Sequence, residues 1–522
     1  MKRLSGGSRS RWTAIILFAA LALIAALSYR LAIRVDCSAG KQYSLSGLSR
    51  KSIESLDSEL LITWYRSRDF ERMTPAIRYI ENFLEEYRVA SKGKISFSIR
   101  DPALSGDVKT IEALGIVPRQ TRIRNGQGTA ITNVYSGLLI EYRGEHRVIP
   151  FLLDTKTLEY DLTRIIIDLA RSTATAAPES VRTVQYIVGN ASSGVDYRYL
   201  EAWVSYAGFT LEPQRLPLAS LDASKLLLVV GSSDIDVKSA AAIDSFISSG
   251  GNAAFFVSGN VINAKSDWKA RAKVKDPLLA VLTAQGFALS PGLIMDVLHY
   301  RLTLPTLDNS RYAEVEYPFW VTVPRTGLSA DEPIFSGISK LQFFWPSGID
   351  LTDGADHRAR AIAHTTSRSR AMLEPYDTNP FGKQLELLGS TEDAREGTVK
   401  APNATVVAAR TSPGRVLVIG DEYLPSSLVD YTGSDENLDF AVSCVEWIAG
   451  EDELIRLKAR QAPDSAESLP AVGDASDSSD GDTPQAKGSD TLKRVRIINL
   501  IVIPALILIY LALCVARKKR GR

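Results

Sequence analysis

Leu226-Leu227-Leu228-Val229-Val230 runs into Gly231-Ser232-Ser233-Asp234, then into a helical stretch from Asp236 to Ser249 and the pair Gly250-Gly251. Five apolar residues in a row, closed by small polar ones, suit a strand buried on both faces. Just beyond the glycines, Ala253 to Val257 is a second such run. Working outward, Val184 to Val188 is a third strand, Asp196 to Tyr206 a helix stopped by Gly208, and Leu278 to Ala284 a helix stopped by Gly286. Apolar strands alternating with helices of about 10–14 residues are the pattern of a parallel sheet covered on both faces. Further on, Thr405 to Ala409 and Arg415 to Ile419 read as strands around Ser412-Pro413-Gly414. Asn437 to Ala449 reads as a helix capped by Asn437 and ended by Gly450. Met295 to Arg370, rich in proline and aromatic residues, reads as short strands or an elaborated loop region.

The chain before this body alternates as well. Ser44 or Ser46 can cap a helix that faces Leu48, Ile53 and Leu56 inward. Leu60 to Tyr65 is a short buried strand. Thr74 to Ala90 is an amphipathic helix with Pro75 in its first turn, and Lys94 to Arg100 is a strand ending at Asp101-Pro102. That is a β-α-β unit with a right-handed crossover. Val108 to Leu114 is a short helix, and Gln120 to Asn133 a loop or hairpin turn. Val134 to Tyr142 and His146 to Phe151 form a hairpin through Arg143-Gly144-Glu145. Leu158 to Leu169 is a helix, and Ser172 to Glu179 an Ala/Ser/Thr/Pro linker at a domain boundary. The expected class is α/β, with two α/β domains at 40–172 and 180–455.

Two apolar runs flank this body. Trp12 to Ile33 carries no charge between Trp12 and Tyr29. Eighteen helical residues span about 27 Å, close to the hydrocarbon thickness of a bilayer. Tyr29-Arg30-Leu31 follow where a cleaved signal would carry small residues, so the run reads as an uncleaved anchor. Lys2, Arg3, Arg9 and Arg11, within the basic flank 1–11, keep that end in the cytoplasm. Ile497 to Ala516 is a second uncharged run, inside an expected membrane helix at 496–516, and Arg517-Lys518-Lys519-Arg520 open a basic tail, 517–522. The sequence therefore predicts a two-pass protein of the bacterial cytoplasmic (inner) membrane. Both termini are cytoplasmic and the body is extracytoplasmic, with transmembrane helices at 12–33 and 496–516. Between body and second helix, 461–491 is acidic and poor in large apolar residues, the composition of a disordered linker.

The formal charge is +1 although the two flanks alone carry nine positive charges, so the body is acidic. An acidic body gives no reason to expect nucleic acid. Three cysteines, Cys37, Cys444 and Cys514, do not make a disulfide framework. Core and lipid-facing positions account for them, with a Cys37–Cys444 bridge left open. The histidines, His146, His299, His357 and His364, show no metal-ligand spacing. No Walker loop, G-x-S-x-G elbow or C-x-x-C is present, so no catalytic residue, cofactor or metal is assigned. In an open α/β sheet, ligands bind beyond the carboxyl ends of the strands. The candidate contacts there are Asn190, Asp234, Asn260, Asp421 and Glu422. Small polar residues at such turns are also ordinary strand-to-helix punctuation.

These residues together resemble the auxiliary subunits of ABC transporters typified by the gliding-motility protein GldG. Lys41-Gln42-Tyr43-Ser44-Leu45-Ser46, Leu56-Asp57 and Ile62-Thr63-Trp64-Tyr65 are similar to that family's motif after its first membrane helix. Asp101-Pro102 and Leu158-Glu159-Tyr160-Asp161-Leu162-Thr163 match its first domain. Gly420-Asp421-Glu422-Tyr423-Leu424, Asn437-Leu438-Asp439-Phe440 and Glu446-Trp447-Ile448-Ala449-Gly450 match its second. Arg496-Ile497-Ile498-Asn499 to Pro504 matches its closing helix. The resemblance implies a thioredoxin-like first domain and a second domain like class I glutamine amidotransferases, both without the chemistry of those folds. It departs where many members have Gly-His-Gly-Glu, since Gly189-Asn190-Ala191-Ser192 stands here.

The reading that follows is a non-catalytic, substrate- or partner-binding membrane subunit of an ABC-type transport complex, possible roles being gliding motility or envelope export. Its partners would be a separate permease and ATP-binding subunit, with an exported protein, glycan or solute as ligand. An exported membrane-anchored hydrolase and an envelope assembly scaffold are the alternatives.

Overall fold

The computed structural model describes residues 44–460 apart from 69, 71–75, 126–127, 153–154, 156, 174–181, 192–193, 264–268, 306–310, 353–358, 383 and 390–396. The expected membrane segments 12–33 and 496–516, both basic flanks, the acidic stretch 461–491, Cys37, Cys514, His357 and most of the 172–179 linker lie outside the described residues. Among the described residues no helix is long and apolar enough to cross a membrane.

The first lobe is built on β1 (Leu60–Arg66), a strand with six of its seven residues buried. The Gly47–Glu54 helix precedes it, and Ser46 caps that helix by accepting the Ser49 N–H. β1 pairs parallel with β2 (Ile95–Arg100) through the Ala76–Ala90 helix, which gives the expected β-α-β unit. β3 (Arg119–Asn125) and β4 (Gly128–Val134) form a two-stranded hairpin where loop or turn was expected. β5 (Ser136–Tyr142) lies antiparallel on the other side of β1 and turns back into β6 (Glu145–Ile149). Arg143 and Gly144, both at positive φ (51° and 85°), make that two-residue turn. The sheet order is β2-β1-β5-β6. The Leu158–Ser172 helix buries Leu158, Leu162, Ile165, Ile166 and Leu169 in the same core.

The second lobe opens with β7 (Thr183–Val188), β8 (Thr210–Pro213), β9 (Leu226–Val230) and β10 (Ala253–Phe256). β11 (Asn260–Ile262) and β12 (Ala270–Ala272) form a small hairpin. The aromatic stretch resolves into β13 (Phe287–Met295), β14 (His299–Pro305), β15 (Tyr312–Pro324), β16 (Lys340–Gln342), β17 (Ser347–Leu351), β18 (Arg360–His364) and β19 (Arg370–Met372), followed by β20 (Thr398–Lys400). β21 (Thr405–Arg410) and β22 (Val416–Ile419) return to the main sheet. That sheet has the order β18-β21-β22-β10-β9-β7-β8. The five strands from β22 to β8 are parallel, and β21 and β18 are antiparallel at one edge. The expected parallel sheet is thus extended at that edge into a mixed one. The cause is the tight turn at Ser412-Pro413-Gly414, too short for the crossover that a parallel pair requires. Two apolar clusters cover its two faces.

Two expectations shift further. The helix expected from Asp196 begins at Leu200. The last long helix runs Asp435–Ile448 with Ser434 at its cap position, so Asn437 is not its cap. The Asn437 side chain instead accepts from Gln342 N–H at 3.0 Å and donates to the carbonyls of Gln342 and Leu424. Cys444 is a free thiol buried in the core.

The lobes meet along polar contacts within one compact unit, Met1–Ser465. Tyr160 of the first lobe donates to Glu446, which also pairs with Lys458 at 2.7 Å. Arg171 and Arg182 converge on Glu451 at 2.8 and 2.9 Å. Ala466–Arg522 is a second unit and lies wholly outside the described residues.

Candidate functional site

The parallel strands end on one edge of the sheet, and their loops leave side by side. Gly189 N–H donates to Val230 O and Gly231 N–H to Phe256 O, both at 2.8 Å, and Val257 N–H donates to Ile419 O at 3.0 Å. The approach is close enough to require glycine. A Cβ on Gly189 would stand 2.5 Å from Gly231 O, and one on Gly231, already at φ +76°, would stand 2.4 Å from the Asn190 side chain.

Four of the five expected contact residues come together here. Asn190, Asn260, Asp421 and Glu422 are fully buried, as are Ser232 and Ser258. Asn190 Nδ2 donates to Tyr197 OH at 2.8 Å, and that hydroxyl donates to Glu422 O at 3.0 Å. Glu422 N–H donates to Ser258 Oγ at 3.0 Å. Asn260 Nδ2 is 3.4 Å from Ser347 Oγ, which also receives Gly259 N–H at 2.8 Å. Asp234 stands apart: its backbone N–H ties to Gly189 O at 2.7 Å, but the residue is exposed.

The residue that sequence reasoning missed is Lys273, just past β12. Its ammonium sits 2.6 Å from Glu422 Oε2 and 3.0 Å from Ser232 Oγ, with both charged side chains almost wholly buried. Ser232 Oγ in turn donates to Asp276 Oδ2 at 2.6 Å. The available signal was the alternation Lys269, Arg271, Lys273, which puts three cations on one face of an extended segment. Neither Lys273 nor Glu422 has a neighbour in sequence that announces its partner.

The two acids of Gly420-Asp421-Glu422 have different tasks. Asp421 Oδ2 accepts Phe344 N–H at 2.6 Å and Oδ1 accepts Tyr423 N–H at 2.7 Å. Burial pushes its carboxyl well above the usual carboxylate range, and these N–H donors pull part of the way back. Asp421 thereby fastens β22 to the segment before β17. The Tyr197 and Tyr423 hydroxyls are driven far up, by burial first and by the Glu422 charge second. Three buried oxygens of the belt, Asn190 Oδ1, Asn260 Oδ1 and Glu422 Oε1, have no hydrogen-bond partner among the described residues.

Among the described residues no group of three or more His, Cys, Asp or Glu side chains could hold a metal. His299 bonds through Nδ1 to Asp296 O at 2.8 Å and through Nε2 to Glu316 at 2.6 Å, which makes it a bridge between strands.

The sequence pattern of a family described as an ABC-type uncharacterized transport system matches residues 182–444, half of the chain. The chain belongs to this family. The match runs from β7 into the Asp435–Ile448 helix and takes in the whole strand-end belt, Lys273 included. A domain of unknown function matches 39–141, from ahead of the first lobe's opening helix into β5. A protein of Borreliella burgdorferi, described as uncharacterized, is 22% identical over 512 residues, which covers 94% of both chains. It is similar along nearly the full length, outside the lobes as well as within them.

Proposed function

We propose that this member of the ABC-type transport family is a non-catalytic auxiliary membrane subunit, working beside a separate permease and ATP-binding subunit. The family match over 182–444, with the strand-end belt inside it, carries the reading. The two uncharged runs at 12–33 and 496–516, each with a basic flank, support a two-pass protein of the cytoplasmic membrane with its body outside. The order β2-β1-β5-β6, with β5 antiparallel to β1, supports a thioredoxin-like first lobe. The parallel core of the second lobe supports one like class I glutamine amidotransferases. Gliding motility or envelope export is the setting that the resemblance to GldG suggests.

The hydrolase alternative needs an acid that can reach a substrate. Asp421 is fully buried with both oxygens held by backbone N–H groups, and Glu422 is engaged by Lys273, so the geometry favours binding over catalysis. Affinity purification of the full chain from detergent-solubilised membranes tests the proposal. A permease and an ATP-binding protein should co-purify, and repeated recovery of the chain alone would refute it.

A further inference from the structure

Helices of both lobes meet at the seam. The Leu200–Tyr206 helix packs on the Asp435–Ile448 helix. The opening turn of the Leu158–Ser172 helix bonds to both, through Tyr206 OH to Asp161 at 3.2 Å and through Tyr160 to Glu446. Trp203 and Tyr206 stand three residues apart on one helix, and Glu436, Asp439 and Val442 three apart on the other, so each set shares a face. These two faces, with Tyr160 and Asp161 opposite, line a cavity of about 350 Å³. That volume is within the range of small-molecule sites.

Most polar groups on this lining are engaged. Asp161 accepts from the Thr157 and Tyr206 hydroxyls, and Glu436 accepts Ser339 Oγ at 2.8 Å and Lys340 N–H at 3.0 Å. The Lys458 ammonium lies 2.7 Å from Glu446 and 4.8 Å from the Tyr160 ring centroid, and the Arg164 guanidinium stands 4.9 Å from that of Tyr206. Two lining groups remain open. Among the described residues no group donates to the Asp439 carboxylate, and no ring or cation lies against the half-buried Trp203 indole. The charges do not balance either. Lys458 is matched by Glu446 and Arg164 faces Asp161, which leaves Glu436 and Asp439 without a counter-charge among the described residues. A negative cavity with an open indole complements a cation that carries apolar surface, because the charge can pair with the carboxylate while the alkyl groups around it meet the ring. A metal ion does not fit the lining, since among the described residues no group of three or more His, Cys, Asp or Glu side chains could hold one. The seam already seats Lys458 and Arg164 on aromatic rings, so the same preference is in use on either side of the cavity.

We propose that the cavity between the lobes binds a small organic ammonium ion, its charge on Asp439 and its alkyl groups against Trp203. This goes beyond the transport proposal and is read on the purified chain without a permease, so either can fail alone. The test is calorimetric titration of the full-length chain, in a maltoside detergent and an amine-free buffer, with choline, butylammonium and putrescine. The uncharged counterpart of choline, 3,3-dimethyl-1-butanol, is the control. At least one of the cations should bind, the alcohol at least ten-fold more weakly, and Asp439→Asn and Trp203→Leu should each weaken binding at least five-fold. The pKa of Asp439 is pushed up to about 6 by desolvation, with Lys458 opposing the rise and Asp435, Glu436 and Asp161 adding to it. Its ionised fraction therefore falls from nearly all at pH 7.5 to about a tenth at pH 5, and affinity should fall about ten-fold with it. Asp161, whose carboxyl burial also raises, faces Arg164 and Lys458 and is common to wild type and variant, so Asp439→Asn should lose most of this pH dependence. Silence of all the cations, equal affinity for the alcohol, or wild-type binding and pH dependence in Asp439→Asn would overturn the proposal. Asp439 is exposed, so its variant leaves the core intact. Should Trp203→Leu fail to fold, amide exchange of the wild-type chain decides, because cation-induced protection that spares 200–206 and 435–448 places the ligand elsewhere and overturns the proposal.

Discussion

Replacing Lys273 with Met should leave Glu422 buried and unpaired at the centre of the second lobe. At 2.6 Å the pair attracts by roughly 6 kcal/mol with an effective dielectric of about 20, most of which offsets the desolvation of two charges. Removing one partner of such a pair costs about 3–5 kcal/mol, whereas removing both charges is often close to neutral. The double variant Lys273→Met/Glu422→Gln should therefore recover most of what the single variant loses. The sign with pH is also fixed. An unpaired, buried Glu422 would have its folded-state pKa raised above the unfolded value. The variant is then least penalised below the unfolded pKa, and it loses stability as pH rises through the raised one. Guanidinium unfolding of the full chain in detergent, followed by tryptophan fluorescence at pH 5 and pH 7.5, reads this directly. Trp345, whose ring lies 5.7 Å from Tyr423 beside Glu422, is the natural reporter. Equal losses in the single and double variants, or a defect that does not shrink at pH 5, would refute the account of Lys273 as the counter-charge.

Gly189→Ala should destabilise by about 1–3 kcal/mol, since the added Cβ meets a backbone oxygen at 2.5 Å that cannot step aside, and thermal unfolding measures the loss. Asp439, in a 350 Å³ cavity between the lobes with Tyr160, Asp161, Tyr206 and Lys458, has its pKa pushed up to about 6 by desolvation of its carboxylate there, with Lys458 opposing the rise and Asp435 and Glu436 adding to it. A raised carboxyl contributes stability below its unfolded pKa and loses it as pH rises through about 6, so Asp439→Asn should flatten the decline in Tm between pH 4 and 7.5. Water reaches this side chain, so the gain at neutral pH should stay below about 1 kcal/mol, and parallel pH profiles would count against it. Arg460→Ala should cost about 1.5–3 kcal/mol in charge-assisted hydrogen bonds and speed amide exchange through the Gly47–Glu54 helix, and unchanged exchange there would show that the contact is incidental.

What the sequence makes legible follows from the range of the forces involved. The run Leu226–Val230, its closing Gly231-Ser232 and the Asp236-capped helix are written in adjacent residues, and their positions agree with the structure to within a residue or two. The Arg143-Gly144 turn is legible for the same reason. Met295 to Arg370 is not, because β13, β17, β19 and β20 find their partners across the chain in the order β17-β13-β19-β20, and no local period encodes that. Asn437 shows the limit at one position. An Asn near a helix start invites a capping role, yet the helix begins two residues earlier and the amide is spent on Gln342, 95 positions away. The candidate site divides in the same way. Asn190, Asn260, Asp421 and Glu422 could be named because loops follow strands, but Lys273 comes from a hairpin inserted between a strand and its helix, and only the fold brings it to Glu422.

The described residues also begin and end in one place, where they clasp the first lobe. Arg460 donates to Ser44 O at 2.8 Å and to Glu159 at 3.1 Å. Glu159 in turn accepts Ser46 N–H at 2.7 Å and Ser49 Oγ at 2.8 Å. Ser49 Oγ continues the chain of contacts to Thr163, and Thr163 to Tyr87, so the clasp is anchored in the core of the first lobe. Ser44 and Arg460, the first and last described residues, therefore lie side by side. The strand-end belt belongs to the other lobe. The polar seam through Tyr160, Glu446, Lys458 and Glu451 couples the lobe that supplies the clasp to the one that carries the belt.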